Sequence, residues 1–382
     1  MSWQVERLQP EGFAEAIDFI NYVFSQTYGP HDFETLLPKL YRPHPELVRC
    51  HWVVREQGAL LALAGVYPMT WQVGGSALRV AGIGAVASHP RHRGRGLMRA
   101  VVGHAVAEAR ADGYDLSWLD GLGHRYRHFG YERAGAEISF QVTERDFAGA
   151  GVDAGGLRLR RLQDGDSLLE EAARQHAGQR VHWQRPPAEL PRICASWGGA
   201  LYAALDGTEV AGCLVAGRDR SAVTELVAVD AATAVRVAAA WRADRGLPQI
   251  RVAVSPWQRA LARRLGALAD STRVQCCGNW QVFDWPAVLA ALLAERARSE
   301  ALPAGEALVE IAGAGCLRLW VDGASAGCEP TSADPQVRLT AADALRAFGG
   351  PLPGAVPAPG AVPAALGSWC PLPFHIPSAD RL

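Results

Sequence analysis

The chain has 382 residues, 49% of them hydrophobic, with 38 basic and 39 acidic residues and a formal net charge of −1. That length and apolar share provide for two or three domains with buried cores. A near-neutral balance without a basic tail or charge run excludes a nucleic-acid-binding surface, because local positive charge suits a small anion better than a long polyanion.

The opening Met1-Ser2-Trp3-Gln4-Val5-Glu6-Arg7 is mixed and polar, unlike a signal peptide, and no run of eighteen apolar residues follows anywhere. A cytoplasmic, water-soluble protein with no membrane partner is expected. The eight cysteines, at 50, 194, 213, 276, 277, 316, 328 and 370, contain no C-x-x-C pair, which fits neither a zinc site nor a disulfide framework. Adjacent Cys276 and Cys277 rarely meet disulfide geometry without strain, so reduced and mostly buried thiols are expected.

Phe13, Ile17, Ile20 and Phe24 mark the apolar face of a first helix. Trp52-Val53-Val54, Leu60 to Val66 and Leu78 to Val86 read as consecutive strands, with turns at Gly58 and Gly74-Gly75. Arg91-His92-Arg93-Gly94-Arg95-Gly96-Leu97-Met98-Arg99 then opens a helix over 96–112. Met98, Val102, Ala105, Val106 and Ala109 set its apolar stripe, and Gly113 stops it. Arginines and glycines at a helix mouth suit a pyrophosphate, since the first turn offers unpaired N–H groups and partial positive charge. Gly94 and Gly96 are read as removing side chains that would keep a phosphate at a distance.

Competing readings of this region are weaker. Lys39 is the only lysine, so no P-loop Gly-Lys-Ser/Thr exists. Gly82-Ile83-Gly84-Ala85-Val86-Ala87 spells G-x-G-x-x-A, but Ser88-His89-Pro90 follows instead of a helix, and no carboxylate stands about twenty residues on for a ribose. His89 with His92, and His124 with His128, have metal-ligand spacing. Arg91, Arg93, Arg125 and Arg127 crowd them without an interleaved carboxylate, so no metal is expected.

A strand from Leu116 to Asp120 precedes Gly121-Leu122-Gly123-His124-Arg125-Tyr126-Arg127-His128-Phe129-Gly130-Tyr131, and a strand from Ile138 to Val142 follows. Gly149 to Gly156 reads as a linker. A fainter copy of the pattern comes next: a hairpin turned at Asp206-Gly207, strand Thr224 to Val229, helix Ala231 to Arg242, strand Ile250 to Val254 and a short helix from Pro256 to Leu265. Its helix entry, Val229-Asp230-Ala231-Ala232-Thr233, lacks the glycines and arginines, and Asp230 would cap the helix while repelling a phosphate. Beyond Pro286 lie an Ala/Leu helix to Arg298, strands Leu308 to Ile311 and Leu317 to Val321, and a helix from Thr340 to Phe348. Pro353 to Ala358 is repeated as 359 to 364, a low-complexity stretch read as a surface loop.

Arg91-x-x-Gly94-x-Gly96 resembles the Arg/Gln-x-x-Gly-x-Gly/Ala motif of GCN5-related N-acetyltransferases (GNAT). The Tyr126-Arg127-His128-Phe129-Gly130-Tyr131 segment resembles the Tyr-x-x-Phe-Gly-Tyr segment of the enhanced intracellular survival (Eis) type within that superfamily. The resemblance implies an α/β fold in three parts: a mixed-sheet GNAT domain over 1–145, a degenerate GNAT-like domain over 146–295 that binds no CoA, and a sterol-carrier-like α+β domain over 296–382. It implies acetyl-CoA as cosubstrate, with Val86, Ala87 and Ser88 along the pantetheine and Arg93, Gly94, Arg95, Gly96, Leu97, Met98 and Arg99 around the pyrophosphate. Tyr126 takes the general-acid role. A phenol with a pKa near 10 stays protonated at neutral pH and can protonate a departing thiolate of comparable basicity.

The expected reaction is direct acetyl transfer to a primary amine of a small molecule; the resemblance suggests an aminoglycoside, with a polyamine or lysine amine as the other acceptors. Resemblance also implies a homo-oligomer, a hexamer. Asp32, Glu34, Trp71 and Tyr28 are weak acceptor-site candidates. In the Eis type the C-terminal carboxylate acts as general base just after an aromatic residue. Here Trp369-Cys370-Pro371-Leu372-Pro373-Phe374 resembles that tail but eight residues follow, so either the terminus takes another path or another group is the base. A non-catalytic acyl-CoA sensor and a lipid carrier remain the alternatives.

Overall fold

Period-two alternation of apolar residues draws the first third of the chain into an antiparallel meander. A computed structural model describes residues 3–323, 325–351 and 363–382; the Pro/Gly repeat lies, through residue 362, outside them. The chain divides into two units, one of residues 1–134, 278–372 and 382, the other of residues 135–277 and 373–381.

In the first unit β1 (Glu6–Arg7), β2 (His51–Glu56), β3 (Ala59–Val73) and β4 (Ser76–Ser88) pair antiparallel in that order. β5 (Leu116–Leu119) joins β4 in parallel, and β6 (Glu132–Arg133) lies further along the sheet. The parallel crossover from β4 to β5 is the motif helix Leu97–Ala111, within one residue at each end of the span read from its periodicity. Leu97, Val101, Val102, Ala105 and Val106 bury one stripe of it against Val54, Leu61, Ile83 and Leu119 of the sheet.

The second unit contains β7 (Glu137–Thr143), β8 (Arg158–Arg161), the short β9 (Val181–Trp183), β10 (Ala200–Asp206), β11 (Glu209–Ala216), β12 (Ala222–Ala228), β13 (Gln249–Val254) and β14 (Ser271–Gln275). Its sheet runs β14-β7-β13-β12-β11-β10-β8. β10, β11 and β12 are antiparallel, β12 and β13 parallel, and β7 antiparallel to both β13 and β14. The helix Ala231–Asp244 crosses from β12 to β13, and its Val235, Val237, Ala238 and Trp241 fill the core.

The remaining strands are β15 (Asn279–Val282), β16 (Gly305–Ile311), β17 (Gly315–Asp322), β18 (Ser325–Pro330) and β19 (Val337–Leu339). β15 sits between β5 and β6, antiparallel to both. The first sheet therefore reads β2-β3-β4-β5-β15-β6 and the second β10-β11-β12-β13-β7-β14, with the same sequence of pairings. In the fifth place of each, the strand that follows its own chain segment is exchanged: β7 follows β6 but joins the second sheet, and β15 follows β14 but joins the first. The strand read as closing the first domain, Ile138 to Val142, thus lies in the second sheet, and the chain changes units at Ala134–Gly135, before the Gly149–Gly156 stretch. The last four strands form a sheet of order β18-β17-β16-β19, accompanied by the helices Trp285–Ser299, Ala341–Gly349 and Ala364–Trp369.

Candidate active site

β4 and β5 stay in register only from Val80↔Leu116 to Ile83↔Leu119. Beyond Ile83, β4 runs on to Ser88 paired with β3 alone. The register against β3 slips between Leu63↔Ala87 and Gly65↔Gly84, so Ala85 and Val86 face one β3 residue, and Ala85 takes a left-handed φ of 51°. That is a β-bulge, which bends a strand away from its neighbour. It leaves the β5-facing backbone edge of residues 84–88 without a strand partner. Gly82 to Ala87 is therefore mid-strand backbone, not the strand-to-helix turn of a dinucleotide fold.

The chain leaves β4 through a 3₁₀ turn at Pro90–His92, where His89 Nδ1 accepts from the Arg91 amide at 3.2 Å. Gly94 and Gly96 follow with φ of 78° and 76°, and a Cβ at either would meet nothing within 4 Å. These glycines are needed for their left-handed backbone, which L side chains rarely adopt. That conformation is a requirement separate from the room that a phosphate would need. Gly96 is the N-cap of the motif helix and supplies no side-chain cap, and no acidic residue stands in the first turn. The first amides of the helix, at Leu97, Met98 and Arg99, thus lack the capping acceptor that Asp230, Asp284 and Thr340 supply to other helices.

The arginines divide. Arg91, Arg93 and Arg99 are exposed. Arg95 is held: Nη2 and Nη1 donate to the Glu56 carboxylate at 2.6 and 3.0 Å, and its guanidinium lies 4.7 Å over the Trp3 ring. The hydrogen bond from Arg95 pulls the Glu56 carboxyl below its ordinary range. Leu97 is buried, so only its amide is offered.

The two tyrosines of the Tyr126–Tyr131 segment have different surroundings. Ser117 Oγ donates to the Ala81 carbonyl at 2.6 Å, which makes the Tyr131 hydroxyl the donor in its 2.6 Å bond to Ser117. Burial pushes the Tyr131 phenol well up. Tyr131 is a tie across the sheet. Tyr126, at the end of the helical turn Gly123–Tyr126, is half-buried, tilted 74° to the Tyr131 ring at 6.4 Å, and packs with Val86 and Met98 against one apolar core.

The sequence leaves the path of the C-terminus open. Leu382 lies over the mid-strand glycines of β4: a Cβ at Gly82 would collide with Leu382 Cδ1 and come within 2.8 Å of Met69 Sδ, and one at Gly84 within 3.2 Å of Leu382 Cβ and 3.1 Å of the Tyr67 ring. Tyr67 Oη bonds His51 Nε2 at 2.8 Å, while His51 Nδ1 lies 3.0 Å from the Val48 carbonyl. A carbonyl only accepts, so Nδ1 carries the proton and Tyr67 donates to Nε2. Burial lowers His51 to about 4, which keeps it neutral. The Gly82/Gly84 pair was the available signal, and it marks a close approach of side chains to β4.

Of the acceptor-site candidates, Asp32 caps the short helix Phe33–Leu36 and takes the Thr35 hydroxyl at 2.6 Å, which lowers its pKa. Glu34 is exposed. Trp71 is a core residue, 5.8 Å from the Trp280 ring. Among the described residues no group of three or more His, Cys, Asp or Glu converges as a metal set, and no helix is long and apolar enough to cross a membrane.

In the second unit β12 and β13 also part, after Val223↔Val252, but there Gln258 Nε2 donates to the Leu226 carbonyl at 2.7 Å. Asp230 caps the helix, accepting from the Thr233 amide at 2.7 Å.

The family description "Acetyltransferase (GNAT) domain" matches residues 4–134, the segment carrying the bulged strand and the glycine turn. Residues 4–134 are a GNAT acetyltransferase domain. The chain is thus an acetyltransferase enzyme. Among solved structures it is similar to a GCN5-related N-acetyltransferase from Kribbella flavida, at 21% identity and a TM-score of 0.65, over 91% of this chain and 89% of that one. It is similar to Eis1 from Mycobacterium abscessus, at 17% identity and a TM-score of 0.63, over 97% and 98%. A probable N-acyltransferase from Enterococcus faecalis V583 shares 16% identity and a TM-score of 0.65, over 91% and 89%. At these identities the likeness is one of fold. No curated protein matches the sequence.

Proposed function

We propose that the GNAT domain transfers an acetyl group from acetyl-CoA to a primary amine of a small molecule, without a covalent enzyme intermediate. The observation that carries this reading is the unpaired edge of β4 beyond Ile83, in the same domain as an uncapped helix head. Both features fit the cosubstrate: backbone groups of Val86, Ala87 and Ser88 suit the amides of a pantetheine arm, and the amides of Leu97, Met98 and Arg99 suit a diphosphate. Arg93 and Arg99 add charge at that turn. Bound there, acetyl-CoA supplies a thioester-activated acetyl group.

Tyr126 Oη holds the proton that a departing thiolate requires, and Tyr131, committed to Ser117, does not compete for the role. Aligning amine and thioester in one pocket supplies the larger share of the rate, about 7 kcal/mol or more in well-oriented cases. The second unit we read as a degenerate copy that binds no CoA, because Gln258 occupies the Leu226 carbonyl and Asp230 the helix head. The β16–β19 sheet we read as a sterol-carrier-like domain with a structural role.

Calorimetric titration of acetyl-CoA, with thiol release measured across a panel of aminoglycosides, polyamines and lysine-bearing amines, tests the proposal. Wild type binds and releases thiol, Gly96→Glu does neither, and Tyr126→Phe binds but is slowed about 10²-fold or more. Full thiol release by Tyr126→Phe removes the general-acid role. Tight binding without thiol release for any amine replaces the enzyme reading with a sensor.

A further inference from the structure

The second unit holds a pocket of about 530 Å³, within the range that accommodates small molecules. Strand alternation assigns the faces of β12. Ala222 and Thr224 line this pocket, while Glu225 turns to the other side and pairs with Arg185.

The wall is a stiff hairpin over 217–222. Gly217 donates to the Ala222 carbonyl at 2.7 Å, Arg220 donates to the Gly217 carbonyl at 3.1 Å, and the Arg220 carbonyl accepts from Trp241 Nε1 at 2.9 Å. Asp219 is committed to the same turn, accepting from the Ala222 amide at 3.1 Å. Arg218 leaves this hairpin with its stem packed on Gly198, and Arg251 stands on β13 directly across from Ala222. Both side chains line the pocket and are exposed. Among the described residues neither guanidinium has a hydrogen bond or ion pair, apart from the electrostatic influence of Arg251 on Asp219.

The facing wall carries Trp197, at φ 58° and ψ 26°, followed by Gly198 at φ 77°. Glycine adopts that conformation freely; a tryptophan held in it is strained, and strain of this kind gathers at ligand sites. Ser196 and Thr224 also line the pocket. Each donates to a carbonyl, of Arg192 at 3.4 Å and of Val215 at 3.1 Å, which leaves their oxygens as acceptors. The pocket thus combines two guanidinium groups without a hydrogen bond or ion pair among the described residues, an aromatic wall, and the Asp219 carboxylate, itself held by its own turn.

We propose that this pocket, formed wholly by residues of the second unit, binds a small organic anion: a flat apolar body against Trp197 bearing one carboxylate or phosphate for Arg218 and Arg251. The guanidinium fork matches both anions, and Trp197 selects for a planar body.

Ligand-observed NMR and calorimetry on the full chain, with benzoate, phenyl phosphate and neutral benzamide as probes, test this. At least one anion binds wild type, with benzamide about tenfold weaker or more. The preference between benzoate and phenyl phosphate then identifies the charged group. Arg218→Gln and Arg251→Gln, both on exposed side chains, each weaken binding about tenfold. Trp197→Gly weakens binding without lowering the unfolding midpoint, because glycine relieves the strain, which separates a ligand role from a packing role. The proposal is overturned if neither anion binds at millimolar concentration, if benzamide binds as well as the anions, or if the double arginine variant binds like wild type.

Discussion

Arg95 and Glu56 form a two-pronged ion pair at 2.6 and 3.0 Å, and His92 Nδ1 accepts from the same guanidinium at 2.9 Å. The motif arginine is thereby already matched to a carboxylate, the shape a phosphate would present to it. Both partners are substantially exposed, so water screens the pair and it exchanges readily. In Glu56→Gln the guanidinium loses its competitor, and acetyl-CoA binds severalfold more tightly with a steeper salt dependence. Titration at two ionic strengths measures this; unchanged affinity would mean that Arg95 braces the turn and does not touch the cosubstrate.

Two glycines on one helix predict opposite outcomes. Gly96 is left-handed and Gly103 helical, and a Cβ at either meets nothing within 4 Å. Gly103→Ala therefore gains about 0.5–1 kcal/mol from reduced backbone entropy in the unfolded chain. Gly96→Ala loses about 1–2 kcal/mol and also displaces the helix head, so its acetyl-CoA affinity falls. Urea unfolding of the two variants compares them directly.

The contact of Leu382 with β4 is testable by a double-mutant cycle. Gly82→Ala forces Leu382 Cδ1 and Met69 Sδ aside, flexible ends that can yield, at a cost of about 1–3 kcal/mol. With Leu382→Ala already in place, that cost drops by about 1 kcal/mol. Strict additivity would place Leu382 elsewhere in solution.

His51 sets an acid limit on the first unit. Its folded pKa of about 4 lies below the ordinary 6.5, so the unfolded chain binds the extra proton in that window. The stability gained by keeping it neutral is complete above pH 6.5 and is lost as pH falls toward 4, an effect of about 3 kcal/mol. His51→Asn is less stable at pH 7 but loses less on acidification. Unfolding free energies at pH 7, 5.5 and 4.5 give the two slopes, and equal slopes would contradict a neutral buried imidazole.

What the sequence revealed follows the range of the interactions. The motif helix was legible because Val102, Ala105, Val106 and Ala109 repeat at helical spacing and Gly96 and Gly113 bracket it. The apolar run from Leu60 marks β3 only to Val66; the strand continues to Val73, with Pro68 paired to Ala81. β15 is four residues with no pattern of its own, and its place between β5 and β6 depends on partners about 160 residues away. Arg95's commitment to Glu56, and Leu382's place over Gly82, are likewise contacts between distant segments that no local spacing encodes.

Arg185 and Asp380 are a further long-range case, 195 residues apart. Arg185, its side chain 2% exposed, donates to Glu225 at 2.6 and 3.0 Å and to Asp380 at 2.7 and 3.1 Å, fastening the 373–381 segment to the second unit. Burial alone would raise the Glu225 carboxyl; Arg185 and His176 overcome it and hold it far below 4.5. In Arg185→Met two carboxylates stay buried without their cation, at a cost of about 3–5 kcal/mol near neutral pH. The pH dependence also changes sign. In wild type the depressed carboxyl contributes stability that is present above pH 4.5 and lost below it. In the variant the carboxyl is raised, so the folded form takes up the proton first and acidification from pH 7 toward 5 stabilises it. The gap between the two proteins therefore narrows as pH falls, and urea unfolding across that range follows it; a gap that stays constant would mean that Glu225 and Asp380 reach water once Arg185 is gone.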